Sequence, residues 1–305
     1  MAFNAKQHAA VLSLFGMIAT ETYGLEREAL HATEFVPMQT GVSPWLASWG
    51  YKVVSEVGMA KFIADYADDL PPIGRFLTTK AIGIRTLAVS YSYSEVELMQ
   101  WLTNGVDVSR DDAATARATI DKKVDRVILV GDDEQGVTGL FNNENVTVVA
   151  SAGNAANTST KIKDKSLAEI KATIQAAIDA GYALHKGALV LDTIILDHEA
   201  FGYLATATVS DTNSQTILNH LKEVFREQGL VNWFESRLLD ELGSNGQGRM
   251  VLYKKSPTVV SYVLPIPFKQ NDPQPHALHY KVPCYARIGG TVIKNPKGIV
   301  YCDGI

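Results

Sequence analysis

Between Ser109 and Gly131 apolar residues recur at steps of three and four: Ala113, Ala116, Ile120, Val124 and Val127, with Gly131 continuing the series. A 3.6-residue period gathers such a set into one stripe. The spacing predicts a long amphipathic helix whose polar face carries Asp111, Asp112, Arg117, Asp121, Lys122, Lys123, Asp125 and Arg126. Ser109 with Asp112 resembles a capping box with a shorter acid than usual, and Gly131 suits the left-handed residue that closes a helix. The segment Gly131 to Asn142 follows directly. Its glycines at 131, 136 and 139 permit tight reversals, and Leu140-Phe141 supplies something apolar to bury beneath them.

Elsewhere the pattern alternates between helix and strand. Residues 1 to 34 read as an arm, with a helix near Ala5 to Ile18 and then a polar, Glu-containing connection. Trp45 to Val57 and Phe76 to Tyr93 favour strands, since Val53, Val54, Ile82, Ile84, Thr86 and Val89 are β-branched. The intervening Gly58 to Arg75, with Pro71-Pro72 and Gly74, reads as the elaborate tip of a long hairpin. An isolated two-stranded ribbon is marginal in water, so hairpin and arm must rest either on this chain's own core or on another molecule.

Ser94 with Glu97 opens a short helix bearing Leu98, Trp101 and Leu102. A strand over Val146 to Ala150 leads to the small-residue loop Ser151 to Thr160, a natural boundary. Ser166 and Glu169 form another capping box, before a helix with Leu167, Ile170, Ile174, Ala177 and Ile178 on one side. Thr193 to Leu196 reads as a buried strand, Asp197 as the cap of a helix through Leu204, and Gln215 to Arg226 as a further helix. Strands are then expected at Met250 to Tyr253, Val259 to Leu264, Tyr285 to Lys294 and Gly298 to Cys302.

Composition narrows the function classes. A chain of 305 residues, 46% hydrophobic, can bury a substantial core as one elaborate domain or two linked ones. Net charge is -5 with no long run of one sign, so the chain as a whole has no electrostatic footprint for nucleic acid. The first 34 residues set Lys6 and Arg27 against Glu21, Glu26, Glu28 and Glu34. Cys284 and Cys302, the only cysteines, make no disulfide framework and read as reduced core or interface residues. The stretch Ala9 to Ala19 lacks the flanks of a signal peptide, and no run reaches the roughly 18 apolar residues of a membrane span. Synthesis in the cytoplasm is expected.

Candidate chemistry is sparse. Asp132, Asp133 and Glu134 cluster in the glycine loop, but the alternating oxygen ligands and distal Glu of a calcium loop are missing, so a helix-terminus turn is expected. His276 and His279 have the spacing of a helical metal pair, yet the surrounding prolines argue against a helix. Gly243 to Arg249 is glycine-rich but lacks the Lys-Ser/Thr of a phosphate loop, and a strand follows it. No serine lies in a Gly-x-Ser-x-Gly elbow. No catalytic, cofactor-binding or metal-ligating residue is nominated.

The long helix joined to its glycine loop resembles the spine helix and following loop of tailed-phage major capsid proteins, in the fold named after phage Hong Kong 97. Gly58-Met59-Ala60-Lys61-Phe62-Ile63 with Asp69-Leu70-Pro71, Tyr91 to Leu98, Asp192 to Leu196, Arg249 to Tyr253, Gly289-Gly290-Thr291-Val292 and Asp303-Gly304-Ile305 extend the resemblance in order over roughly residues 35 to 305. It implies an α+β chain: an N-terminal arm (1–34), an extended hairpin region (35–93), a peripheral domain with the spine helix (94–149), an axial α/β domain (150–265) and a return to the peripheral domain (266–305), with the last strands beside the spine helix.

Arm and hairpin would then lie on a neighbouring subunit. The subunit-contact candidates are Lys61, Phe62, Asp69 and Arg75 on the hairpin, Arg117, Asp121 and Arg126 on the helix, and Asp132, Asp133 and Glu134 in the loop. Lys61 or Lys80 would take the lysine part if subunits were welded by isopeptide bonds, a rare feature of the family. The implied function is structural: self-assembly into pentamers and hexamers of an icosahedral head around double-stranded DNA, which the acidic arm would not grip. Implied partners are further copies, scaffolding, portal and decoration proteins, and weakly contacted DNA, with no membrane and no cofactor; the implied location is the virion. An encapsulin-like nanocompartment shell shares the fold, and a soluble hydrolase using the acidic loop is a third reading.

Overall fold

Some strands of this chain bury every side chain, some bury alternate ones, and one ribbon buries almost none. In the computed structural model, which describes residues 29–57, 73–104, 109–156, 158–210 and 213–305, the three behaviours occur in the central sheet and the β12-β16 pair, in the sheet around β15, and in the β1-β2 ribbon respectively. The expected arm helix, the hairpin tip and the candidates Lys61, Phe62 and Asp69 lie outside the described residues.

The first half of the chain forms α1 (Ala32–Phe35), β1 (Ser48–Val57), β2 (Gly74–Gly83), β3 (Arg85–Ser94), α2 (Glu95–Asn104), α3 (Ser109–Leu129), β4 (Gly131–Asp132), β5 (Val137–Thr138) and β6 (Thr147–Ala150). Then come α4 (Leu167–His185), β7 (Thr193–Leu196), α5 (His198–Thr206), β8 (Thr208–Ser210), β9 (Asn213–Thr216), α6 (Ile217–Arg226) and β10 (Asn232–Glu235). The remainder is all strand: β11 (Arg249–Tyr253), β12 (Val260–Val263), β13 (Ile266–Gln270), β14 (Gln274–His276), β15 (His279–Ile288), β16 (Gly290–Ile293) and β17 (Ile299–Asp303).

The central sheet has the order β10-β7-β11-β17-β6. Strands β7, β11 and β17 are buried at every position, which demands cover on both faces. Helices α4, α5 and α6 supply one cover through Ile170, Ile174, Leu204, Leu221 and Phe225. The other face, with Ile195, Val251, Tyr253 and Tyr301, packs on Phe35, Leu129 and Phe141. The capping box at α4 is formed as expected, Glu169 accepting from the Ser166 amide at 2.6 Å.

A second sheet joins β3, β13 and β14 to β15. Burial alternates along β15, so Tyr280, Val282, Cys284 and Ala286 point inward onto Ala116 and Ile120 of α3. The stripe expected on that helix is the one it buries: Ala116, Ile120 and Val127 are each at most 5% exposed. Both cysteines are free and buried. A separate two-stranded sheet is the β1-β2 ribbon, whose ten register pairs run from Ser48↔Gly83 to Val57↔Gly74.

Three expectations need correction. The strand expected over Phe76 to Tyr93 is broken at Ile84, whose buried side chain and amide bond to the Ala47 carbonyl (2.9 Å) pin the turn from β2 into β3. The strand expected over Tyr285 to Lys294 is broken at Gly289-Gly290, where φ of Gly290 is +77° and an added Cβ would lie 2.2 Å from Val137 Cγ1. The final strand does not lie beside α3: β17 sits between β11 and β6 in the central sheet. Ile299-Val300-Tyr301-Cys302 has no polar alternation to tolerate a half-covered position. As expected, His276 and His279 are not helical; they face each other across the β14-β15 turn with rings stacked at 5.7 Å.

Candidate subunit-contact surface

Strands β1 and β2 carry apolar groups on both sides of a ribbon that no third strand joins among the described residues. Val54 pairs with Leu77, so these two share a face, while Phe76 points to the other. Exposure is 49% at Val54, 62% at Phe76, 58% at Leu77 and 83% at Ile73. Arg75 and Lys80 are exposed on the same ribbon. Its root is fastened: Trp49 stacks on Tyr51 at 5.6 Å, Lys294 Nζ lies 5.6 Å from the Trp49 ring, and Arg287 donates to the carbonyls of Pro44 and Leu46.

At the carboxyl end of α3 the chain crosses its own backbone. A Cβ on Gly131 (φ +95°) would stand 2.3 Å from the Val137 carbonyl oxygen, and one on Gly139 would stand 2.4 Å from that of Leu129. Only hydrogen fits at these two positions. The crossing lets the loop close the helix: the Leu140 amide donates to Ile128 O (3.0 Å), the Phe141 amide to Leu129 O (2.8 Å) and Thr291 Oγ1 to Ile128 O (2.6 Å). Leu140 and Phe141 are fully buried beneath it, as the sequence led one to expect.

The acidic loop is a turn held by α3. Asp132 accepts from Lys123 Nζ at 2.6 Å and from the Gln135 amide at 3.3 Å. The Lys123 hydrogen bond holds its carboxyl below the usual range. Asp133 and Glu134 are exposed, and Arg126 shares a recess with all three acids. Arg117 instead pairs with Asp121 at 3.5 Å and lies 6.0 Å from the Phe268 ring, facing β13. The structure thus brings together Arg126, Asp132, Asp133 and Glu134, keeps Arg117 with Asp121 farther along the helix, and leaves Arg75 on the ribbon. Among the described residues no three His, Cys, Asp or Glu side chains are arranged to hold a metal ion, and no helix is long and apolar enough to cross a membrane.

Two buried charged groups stand out besides: Arg249, to which sequence reasoning gave no partner, and Asp197, expected as a helix cap but making no side-chain cap hydrogen bond. Arg249 grips Asp303 through Nε (2.6 Å) and Nη2 (2.9 Å), donates from Nη1 to Phe141 O (2.7 Å), and stacks 4.7 Å from the Tyr301 ring. Burial pushes the Asp303 carboxyl up, but hydrogen bonds from Arg249 and Ser244 and the guanidinium charge outweigh it and leave it below the usual range. The signal was present: a buried strand beginning with Arg needs a carboxylate partner. The other is Asp197 at the start of α5, whose Oδ1 has no partner. Burial, with the Asp240 and Glu199 charges nearby, pushes this carboxyl up to about 6.

The same architecture is found in solved virus shells. The capsid of Myoviridae phage XM1 superposes with a TM-score of 0.77 at 15% identity, over 93% of this chain and 95% of that one. A structure from Mycobacterium phage Adephagia gives 0.61 at 12% identity, over 99% and 98%. The virus-like particle from Pyrococcus furiosus gives 0.55 at 13% identity, over 98% and 100%. Identities this low show the fold alone, and that fold is of the Hong Kong 97 type. No curated protein matches the chain by sequence. The sequence pattern of the family described as Major capsid protein matches residues 58–305, and this chain belongs to that family.

Proposed function

We propose that copies of this capsid protein close into pentamers and hexamers of an icosahedral phage head around double-stranded DNA, each β1-β2 ribbon lying on an adjacent subunit. The observation that carries this reading is the ribbon itself: ten paired residues per strand, apolar on both faces, with Phe76, Leu77 and Val54 left in water. Closed rings require head-to-tail contacts between unlike patches, which a projecting ribbon and a separate receiving surface provide. Many such contacts made together give strength that none has singly.

On this reading the role is structural and not catalytic, and Asp132 is committed to its Lys123 bond and its turn. Arg75, with Lys61, Phe62 and Asp69 beyond the ribbon's described end, and Arg126, Asp132, Asp133 and Glu134 beside the helix terminus, would form contacts between copies, with Arg117 and Asp121 farther along α3. The proposed division is the one given above, with β6 and β17 moved to the axial unit by their pairing in the central sheet. Scaffolding, portal and decoration proteins, weakly held DNA, and assembly in a host cytoplasm belong to the same proposal.

Negative-stain microscopy and sedimentation of the expressed chain test it, with Phe76→Asp/Leu77→Asp as the paired variant. Wild-type shells and unassembled but folded variant subunits are expected. A wild-type chain that stays a compact, stable monomer under every assembly condition overturns the reading. Small uniform cages holding a protein cargo would transfer it to a nanocompartment.

A further inference from the structure

The three-residue spacing of His276 and His279, which no helix uses, is used by a hairpin. The two are register partners across the two-residue turn Ala277-Leu278 that joins β14 to β15, and directly opposed residues of an antiparallel pair point to one face. Both side chains are exposed, their rings stack with centroids 5.7 Å apart, and neither makes a hydrogen bond or ion pair with the described residues. Two imidazoles on one zinc ion, at about 2.0–2.1 Å from nitrogen to metal, have ring centres roughly 5 Å apart. The backbone thus holds these rings near the separation of a chelate, and rotation about their own side-chain bonds is enough to bring two nitrogens onto one ion.

The turn lacks the residue its geometry favours. A two-residue hairpin turn with positive φ at its first central position prefers Gly there, and this chain has Ala277 at φ +50°. Strand β14 is three residues long with Pro275 in its middle, so backbone pairing fastens the tip weakly. Charge beside the pair is balanced: Lys281 lies two positions along β15, and Glu97 accepts from the amide of Ser94 (2.8 Å), the β3 partner of His279. We propose that His276 and His279 bind one divalent transition-metal ion of the zinc class, through one nitrogen each, and so clip β14 to β15. Imidazole suits zinc, nickel and copper, whereas magnesium and calcium take oxygen ligands. With two protein ligands, a four-coordinate ion keeps two positions open to water.

The test is calorimetric titration of zinc chloride into the full chain, with amide hydrogen exchange read by mass spectrometry in parallel. One ion per chain is expected to bind at this hairpin, and exchange across residues 274–281 is expected to slow several-fold when zinc is added. A chelate needs both rings, so His276→Ala and His279→Ala should each weaken that binding roughly tenfold or more, and the double variant should weaken it no further. Magnesium chloride should produce neither effect. Zinc affinity that survives in either single variant overturns the proposal, as does hairpin exchange that zinc leaves unchanged. Both substitutions fall at exposed positions of the hairpin, and the variants' unchanged thermal unfolding without metal is the check that the fold is kept. Both ligands belong to one chain, so the result does not depend on shell formation.

Discussion

The β1-β2 ribbon and the β7-β11-β17 strands are written in nearly the same alphabet and end in opposite environments. Val53-Val54 and Phe76-Leu77 put apolar groups on successive positions, as Ile194-Ile195 does, so each of these strands is apolar on two sides. Ile194 and Ile195 are completely buried because helices lie on one face and the Phe35–Phe141 cluster on the other. Phe76 and Leu77 meet neither. A strand apolar on two sides states that it will be covered twice. It does not state by which molecule; no other described element of this chain covers the ribbon, and the proposed assembly assigns that cover to another copy.

The sharpest way to break this comparison is to make the ribbon polar. Phe76→Asp/Leu77→Asp should abolish particles in microscopy while moving the subunit's denaturation midpoint by no more than about 0.5 kcal/mol, the ordinary range for exposed positions. A large loss of subunit stability would show that the ribbon is covered by its own chain. The converse change belongs in the central sheet. Arg249→Met leaves Asp303 buried without its partner and frees Phe141 O, and should cost roughly 3–5 kcal/mol in urea denaturation. Ile195→Ala should cost about 2–5 kcal/mol through lost burial and the cavity left behind.

Gly139→Ala should cost roughly 1–3 kcal/mol as the added methyl forces the loop off the helix end. Particles, if they form, should then be less stable to heat. A pH-dependent effect concerns Asp197. Its folded carboxyl titrates near 6 against an ordinary 3.8, so the folded state binds this proton more tightly and the stability penalty is complete above about 6 and absent below 3.8. Relative to Asp197→Asn, the wild type should therefore become harder to denature as pH falls from about 6 towards 4. Asp197→Asn, which cannot ionise and nearly keeps the shape of the side chain, should remove this component of the pH dependence.

Local pattern carried most of the elements. The α3 stripe, the Ser166–Glu169 box, the buried β7 run and the reversal through Gly131, Gly136 and Gly139 are all written within a few residues of where they act. What escaped was decided by distant partners. Ile84 breaks a β-branched run because Ala47, 37 positions away, takes its amide. The last strand joins the central sheet because β11 and β6 pair its edges there while one cluster covers Ile299 and Tyr301 and the other covers Val300 and Cys302. In the contact surface the acidic loop was legible as a turn, but its tie to Lys123 and the grouping with Arg126 were not. Arg249 could have been flagged as a charge in an apolar strand, though nothing near it in sequence names Asp303.

Phe141 is clamped from two directions, its amide by Leu129 of the long helix and its carbonyl by Arg249 of the central sheet. A single residue thus ties the long helix to the central sheet, with Thr291 adding a second hydrogen bond to the same helix end. Losing either partner of Phe141 would loosen the other, so a substitution at Arg249 should be felt at the end of α3 as well as in the sheet.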